Sequence, residues 1–439
     1  MVFFDHILTL RSYSETNELI SLGENKDLYI IFVASDRRVL INTNTLNGLR
    51  IHGIYLNRIY QFLLNINSTR YWILKKSKSR SFESRIRSIR MGRREFYESN
   101  SKFNFKAPTS LWIGYLLSFM SFNRMSVILK PVVKKLFADI DLDNVDTVLY
   151  VGTGGSLFLS DCIALQIQRT TENTKYIFNS ENWDNLPSKA VFNLHPDRLG
   201  VWGKKGIKYA AQIHGVDESK IRSVGSPRVD YLASEMKSNS MQVNEDNLKV
   251  LFMGGSLDFH RDVTFFLESR EILSERYYDY ELLYLPHPKN YLKYQAWNIN
   301  EQKSDSIQGE IDELIKLCIE KEQLPSLEFY VKLFSDCKLT LSPLSTMNLE
   351  SLLYGIPTIA LDFRENALPT SPWATEYFEH FSELINYSGV KIARSKDELA
   401  KAVYFLLDSR IIIRREEILD YDLDKNFRNK LLSLICYTI

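Results

Sequence analysis

Cysteine is scarce in this 439-residue chain. The four cysteines, Cys162, Cys318, Cys337 and Cys436, stand far apart, with no CxxC pair and no Cys/His cluster. That excludes a disulfide framework and a zinc site of the usual spacing, and it suits a reducing compartment. Long apolar runs are missing too. None approaches the roughly 18 residues that a bilayer-crossing helix needs. The opening residues, MVFFDHILTLRSYSE, lack the basic start and unbroken apolar stretch of a signal peptide. Nor is there an excess of either charge: 55 Lys/Arg face 54 Asp/Glu, a net charge of +1, which argues against a surface built wholesale for nucleic acid. No repeat and no low-complexity tract is visible. The expectation is a cytoplasmic protein, or one peripheral on the inner face of a membrane.

What is present is a strand–turn–helix theme used twice. VDTVLYVGTGGSLFLSDCIALQI (145–167) reads as an apolar strand, a glycine turn and a helix, and LKVLFMGGSLDFHRDVTFFLESREIL (248–273) reads the same way. Further short β-rich runs follow: KYIFN, RLGVWG, KIRSVG, YELLYL, KLTLS and PTIALDF, alternating with helical spacing. KDLYIIFVAS adds a strand near the start. Alternation of this kind predicts parallel sheets covered on both faces, here in two Rossmann-like α/β domains. The polar stretch LASEMKSNSMQVNEDNLK (232–249) is the expected join. The domains are read as 1–235, carrying a basic segment at 70–94, and 236–415, with a last helix at 416–439 crossing back to the first domain.

The richest stretch is LSPLSTMNLESLLYGIPTIALDF, 341–363. Ser345 is a good N-cap, so a helix runs from Thr346 to Tyr354 and stops at Gly355. Backbone N–H groups at such a start, with the macrodipole, favour phosphate. Glu350 lies about 7 Å further along the axis, where a carboxylate can accept from two ribose hydroxyls. The plain alternative is a cap at Ser345 and a solvated Glu350. MGGSLDF places Gly254, Gly255 and Ser256 at a tight strand-to-helix turn open to close approach, although any strained turn uses glycine. LPHP sets His287 just past a strand, either as a donor to phosphate and a proton-transfer group or as a turn residue held between two prolines. VGTGGS puts Gly154 and Gly155 at the matching turn of the first domain. It is not a full GxGxxG with a downstream acid, which excludes a dinucleotide-dependent dehydrogenase.

In SENWDNLP, Glu181 and Asp184 are candidate general bases, with Trp183 beside them to raise a pKa or stack on a ligand ring. Turn chemistry before Pro187 is the alternative. In GSPRVD, Arg228 can neutralise a diphosphate or pair with Asp230. RYWILKKSKSRSFESRIRSIRMGRR (70–94) holds ten Lys/Arg and one Glu, interleaved with Trp72, Phe82, Ile86 and Ile89. It suits an anionic membrane surface or a pyrophosphate-linked lipid, with nucleic acid a rival that no RNA-binding motif supports. The nearby SLWIGYLLSFMSF (110–122) is too short to span and reads as a core helix in preference to an interfacial one.

The run SPLSTMNLESLLYGIPTIALDF resembles the donor-binding signature of glycosyltransferases with the two-Rossmann GT-B fold. It is also similar to the Ser-x-x-x-x-Glu pattern of the non-hydrolysing nucleotide-sugar 2-epimerases of that fold. NSENWDNLPSKAV, HPDRLGVWGKKGIKYAAQIHGVDESKIRSVGSPRVDYL and LLYLPHP resemble bacterial surface-polysaccharide transferases and the CDP-glycerol glycerophosphotransferase group. The resemblance covers about half the chain, 145–363. It implies two Rossmann-like domains facing each other across a cleft, and donor phosphate held by Ser345 and Thr346 with ribose on Glu350. It further implies transfer of a sugar or polyol phosphate from a CMP/CDP- or UDP-type donor to a glycan or lipid-linked acceptor, with Gly154, Gly155 and Trp183 on the acceptor side and Asp184 or Glu181 taking the acceptor's proton. No resident cofactor and no metal is implied, since helix dipole, histidine and arginine would carry the phosphate charge. A 2-epimerase and a non-catalytic glycan-binding scaffold are the alternatives, because one fold hosts many activities.

Overall fold

In the computed structural model the described residues are all but 6, 24–27, 35–44, 47–48, 57, 76–78, 80, 84–85, 87–108, 118, 128–129, 137, 139–143, 153–156, 170, 172, 240–247, 256–258, 278–279, 286, 288–325, 336, 363–378, 410, 412, 415–417, 419–425 and 437–439. The chain divides into two compact units, 1–93 with 103–230 and 419–439, and 94–102 with 231–418.

The first unit is built on a sheet of β1 (Val2–Phe4), β2 (Ile30–Ala34), β3 (Thr45–Leu46), β4 (Leu49–Tyr55), β5 (Thr147–Gly152), β6 (Lys175–Ser180), β7 (Arg198–Val201) and β8 (Ile221–Ser223). The spatial order is β3-β4-β2-β1-β5-β6-β7-β8. Only the short β3 runs antiparallel, against β4. Both faces are covered, as a parallel sheet requires. Along β5, Val148 and Tyr150 enter one core with Phe178 and Leu199. Leu149 and Val151 enter the other, with Phe4, Tyr13 and Ile177. This period of two, buried on both sides, is why these strands read as unbroken apolar runs.

The helices used below in this unit are α1 (Ile7–Glu15), α2 (Arg58–Leu74), α3 (Thr109–Leu116), α4 (Leu157–Gln168), α5 (Asn185–Ser188), α6 (Lys204–His214) and α7 (Pro227–Asn239). The chain's last helix, Phe427–Cys436, also belongs to this unit. Its Phe427 ring meets Tyr13 edge-on at 5.6 Å, and Leu431 and Leu434 are buried in the second core.

Two expectations are corrected here. Residues 110–122 do not form a core helix: Trp112, Tyr115, Leu116 and Phe119 are exposed, because only the opposite side of α3 packs on α2. Conversely, Trp72 and Phe82 of the basic segment face the core instead of a surface. Trp72 meets Tyr71 and His214 edge-on and Phe82 at a tilt. Ile86 is partly buried against the same core, while Ile89 and residues 87–94 lie outside the described set.

The second unit carries β9 (Leu248–Met253), β10 (Tyr280–Leu285), β11 (Cys337–Pro343), β12 (Thr358–Leu361) and β13 (Val390–Ala393). Their order is β10-β9-β11-β12-β13, and every pairing is parallel. The helices that matter are α8 (Phe259–Arg276) and α9 (Thr346–Leu353).

Strand order places a crevice in each unit. In the first, the chain builds outward from β1 to β2 and returns at β5, so the reversal falls between β1 and β5. In the second it falls between β9 and β11. Open α/β sheets take ligands beyond the carboxyl ends of the strands at such reversals. Gly152 at the end of β5, and Gly254 and Gly255 just after β9, lie at these two points.

Candidate functional site

Ser345 follows β11 at the second reversal. Its extended backbone (φ −158°, ψ 172°) and its hydroxyl, which accepts from the Met347 N–H, make it the N-cap of α9. Asn348 Oδ1 accepts from the Ser345 N–H at 2.9 Å, which completes a capping box with Asn in the third place. The Asn348 amide also donates to Thr358 Oγ1 at 3.2 Å, fixing the helix start against β12. The Thr346 hydroxyl is half-buried and makes no hydrogen bond among the described residues. The helix ends at Gly355 with φ 84°, where the N–H groups of Gly355 and Ile356 reach back to Leu352 and Ser351.

Glu350 is not a surface charge. It is 1% exposed, and the Tyr354 hydroxyl, one turn on, donates to its Oε2 at 3.0 Å. The Tyr354 ring is held in turn by Phe334, 5.2 Å away. Helical glutamates that merely solubilise a surface do not look like this, since an enclosed carboxylate is costly unless it is bonded. Thr346, Glu350 and Tyr354 share one face, as their spacing requires.

Across the reversal, the turn after β9 is closed by a residue that sequence reasoning passed over. Asp262, in the first turn of α8 and buried, accepts from the Gly255 N–H at 2.7 Å. A Cβ on Gly254 would stand 2.8 Å from that carboxylate and 3.0 Å from the Tyr284 hydroxyl, so glycine is needed there for space. Ser256 lies outside the described residues. His287 is half-buried just past the end of β10. Also on this edge, the buried Asp362 after β12 faces Arg394 after β13 at 3.8 Å.

The first unit gathers carboxylates along its own carboxyl edge. Asp5, after β1, accepts from the Tyr150 hydroxyl of β5. A side chain on Gly152 would collide with the Asp5 carboxylate. Glu181 is buried; its N–H donates to the Gly152 carbonyl at 3.1 Å, and Ser226 donates to its Oε1 at 3.5 Å. Asp184 precedes α5 without capping it and pairs with Lys189 at 2.6 Å. Trp183 is buried, so in this structure it is closed to stacking on a sugar. It lines a small cavity with Ser180, Asn182, Trp202, Gly203 and Tyr209. Arg228 is half-buried in the first turn of α7, three residues after Gly225 with φ 92°. Gly154 and Gly155 lie outside the described residues.

Two enclosed ionisable groups hold the segment that continues from this edge. His214, at the end of α6, bonds the Leu186 carbonyl through Nε2 at 2.6 Å and Tyr71 through Nδ1 at 2.7 Å. A carbonyl only accepts, so Nε2 carries the proton and Nδ1 accepts from the phenol. Burial pushes this imidazole down to about 3. Asp161 of α4 accepts from Tyr176 Oη at 2.7 Å, from the Asn193 N–H at 3.0 Å and from the Leu194 N–H at 3.3 Å. Burial pushes its carboxyl up to about 7, against the pull of those donors.

Asp5, Asp262, Asp362 and Arg394 were not read as site residues in the sequence. Only Asp5 carried a signal, an acid directly after VFF, and a three-residue strand is too short to register by periodicity. Among the described residues no group of three or more His, Cys, Asp or Glu is arranged to hold a metal. The Asp-x-Asp triplets at 139–141, 141–143, 420–422 and 422–424 lie outside the described set.

No protein-family model and no curated protein matches the sequence. Solved structures do match along the whole length. The UDP-GlcNAc 2-epimerase of Methanocaldococcus jannaschii, in complex with UDP-GlcNAc and UDP, is 13% identical with a TM-score of 0.53, covering 100% of this chain and 99% of its own. A putative UDP-N-acetylglucosamine 2-epimerase from Listeria monocytogenes is also 13% identical, with a TM-score of 0.54 and coverage of 99% and 95%. The Neisseria meningitidis UDP-GlcNAc 2-epimerase, bound to UDP-GlcNAc, is 10% identical with a TM-score of 0.53 and coverage of 99% and 98%. At these identities the likeness is one of fold. The chain has the two-Rossmann GT-B fold of the nucleotide-sugar 2-epimerases, as its sequence resemblance implied.

Proposed function

We propose that this chain is an enzyme acting on a nucleotide-activated sugar, and that it transfers the sugar, or a sugar-like polyol phosphate, to a glycan or lipid-linked acceptor. The observation that carries the reading is Glu350, a carboxylate enclosed one turn inside a capped helix at the strand-order reversal of the second sheet. Donor phosphate would meet Thr346 and the Gly254–Gly255 turn, with His287 as a further donor and Glu350 on the ribose side. The Ser345 hydroxyl and N–H are committed to the cap, so Ser345 acts by holding the helix start. A nucleotide with a cytidine or uridine base is the expected class, and no resident cofactor enters the reading. The acceptor's hydroxyl proton would pass to Asp5, Asp184 or Glu181. Asp184 is already paired with Lys189 at 2.6 Å.

A second reading is 2-epimerisation of a nucleotide sugar. Three carboxylates on the first unit's carboxyl edge, Asp5, Glu181 and Asp184, are the acid/base groups it would need.

Calorimetry with CMP, CDP, UMP, UDP and GDP tests the shared premise. One nucleotide should bind the wild type and lose on the order of tenfold or more in affinity in Glu350→Gln, through a broken charge-assisted contact. Binding by none of the five rejects both enzymatic readings in favour of a non-catalytic scaffold. With the base known, NMR of the matching nucleotide sugar separates the two reactions: epimerisation proceeds without any acceptor, whereas transfer requires one.

A further inference from the structure

We infer that the outward face of α3 is a docking surface for an anionic lipid bilayer. Trp112, Tyr115, Leu116 and Phe119 are spaced i, i+3, i+4 and i+7, one stripe of the helix and its final turn. All four face solvent, Trp112 at 65%, Leu116 at 66% and Phe119 at 78% exposure. A helix that borders water normally carries charge on that side. Here positions 109–120 carry no charged residue, and the apolar stripe points outward.

The orientation is fixed from behind. Gly114 is buried against α2, where a Cβ would come within 2.9 Å of Thr69 Cγ2 and 3.4 Å of the Arg70 backbone nitrogen. The buried Arg70 guanidinium donates to the Leu117 carbonyl at 3.0 Å and to the Met120 carbonyl. The close glycine contact and the arginine clamp hold the stripe outward.

Charge says what would cover it. Positions 70–138 hold sixteen Lys/Arg and three Glu, and 99–138 contain no acid at all. The remainder of the chain holds 39 basic and 51 acidic residues, so a near-neutral protein has set its positive charge apart here. Arg124, Lys130 and Lys134 are exposed among the described residues close to the stripe in sequence. Aromatic and aliphatic side chains with exposed cations following closely in sequence match the headgroup level of an anionic membrane: the rings would enter the interface and the cations meet phosphate. A second copy on the same face would bring like charges together, which disfavours self-association. Nucleic acid would use the cations and the rings but not an exposed Leu116. The inference does not depend on the nucleotide reading and can fail without it.

The test is co-sedimentation of the full chain with vesicles of phosphatidylcholine alone and of equimolar phosphatidylcholine and phosphatidylglycerol, with analytical ultracentrifugation in parallel. Binding is expected to the anionic vesicles, about tenfold or more above the neutral ones, and to weaken with salt. Trp112→Ser/Phe119→Ser should lower the partition coefficient on the order of a hundredfold, and Lys130→Glu/Lys134→Glu about tenfold, with circular dichroism unchanged in both. Equal partition onto both vesicle types, absence of binding, or wild-type binding by the Trp112/Phe119 variant overturns the proposal. So does a dimer that the same variant dissolves while vesicles are ignored, or retention of an RNA oligonucleotide without vesicle binding.

Discussion

The clamp on residues 185–194 makes a prediction that opposes intuition about buried charges. His214 holds one end through Leu186 and Asp161 holds the other through Asn193 and Leu194. Burial lowers the His214 imidazole from 6.5 to about 3. The unfolded chain therefore binds the extra proton first, and stability is full above 6.5 and is lost as pH falls toward 3. Asp161 runs the other way, raised from 3.8 to about 7, so its contribution is full below 3.8 and is lost as pH rises toward 7. Each group alone tilts stability by about 1.4 kcal/mol per pH unit inside its window. Over roughly pH 4 to 6.5 the two tilts oppose each other, and their sum in the wild type is close to flat.

Asp161→Asn removes one side of that balance with little damage. The amide oxygen can keep the Asn193 and Leu194 N–H bonds while its NH₂ faces Tyr176, whose hydroxyl can turn to donate to Ser160, 3.2 Å away. The variant should lose about 2 kcal/mol on going from pH 6.5 to about pH 4.5, a loss that the wild type does not share. His214→Gln should show the reverse slope, becoming less stable as pH rises over the same range, whatever its overall cost. Urea titrations at four pH values, with fluorescence from the tryptophans, read both slopes. An Asp161→Asn curve parallel to wild type would refute the reasoning. So would an imidazole NMR titration placing His214 near 6.5.

Two further expectations concern glycines that make room for the site. Gly152→Ala should destabilise the chain by about 1–3 kcal/mol in chemical denaturation, because the new methyl must displace the Asp5 carboxylate from Tyr150. Gly355→Ala, at φ 84°, should cost about 1–2 kcal/mol and leave the Glu350–Tyr354 turn less well fixed, read as a lower melting temperature.

Much of the fold was written locally. A strand such as KYIFN is apolar on both faces because a parallel sheet buries both. The Ser345 cap and the Gly355 stop follow from side-chain and φ chemistry within a single helix. What local pattern could not supply was burial. A glutamate one turn into a helix looks the same in sequence whether water or Tyr354 surrounds it, and SLWIGYLLSF looks like core whichever side packs. Trp72 reads as an interfacial residue among cations, yet α2 turns it inward.

The sequence by itself determined two α/β units, their glycine turns, the cap and stop of the helix that carries Glu350, and an uneven distribution of charge along a neutral chain. Only the tertiary structure decided which residues share an edge. Asp5 comes beside Gly152 from 147 positions away because β1 and β5 are neighbours in the sheet. Gly255 is tied to Asp262 because a helix folds back over its own strand. Strand order is a long-range property, set by which pairing buries the most apolar surface with its backbone hydrogen bonds satisfied, and no local window of residues contains it.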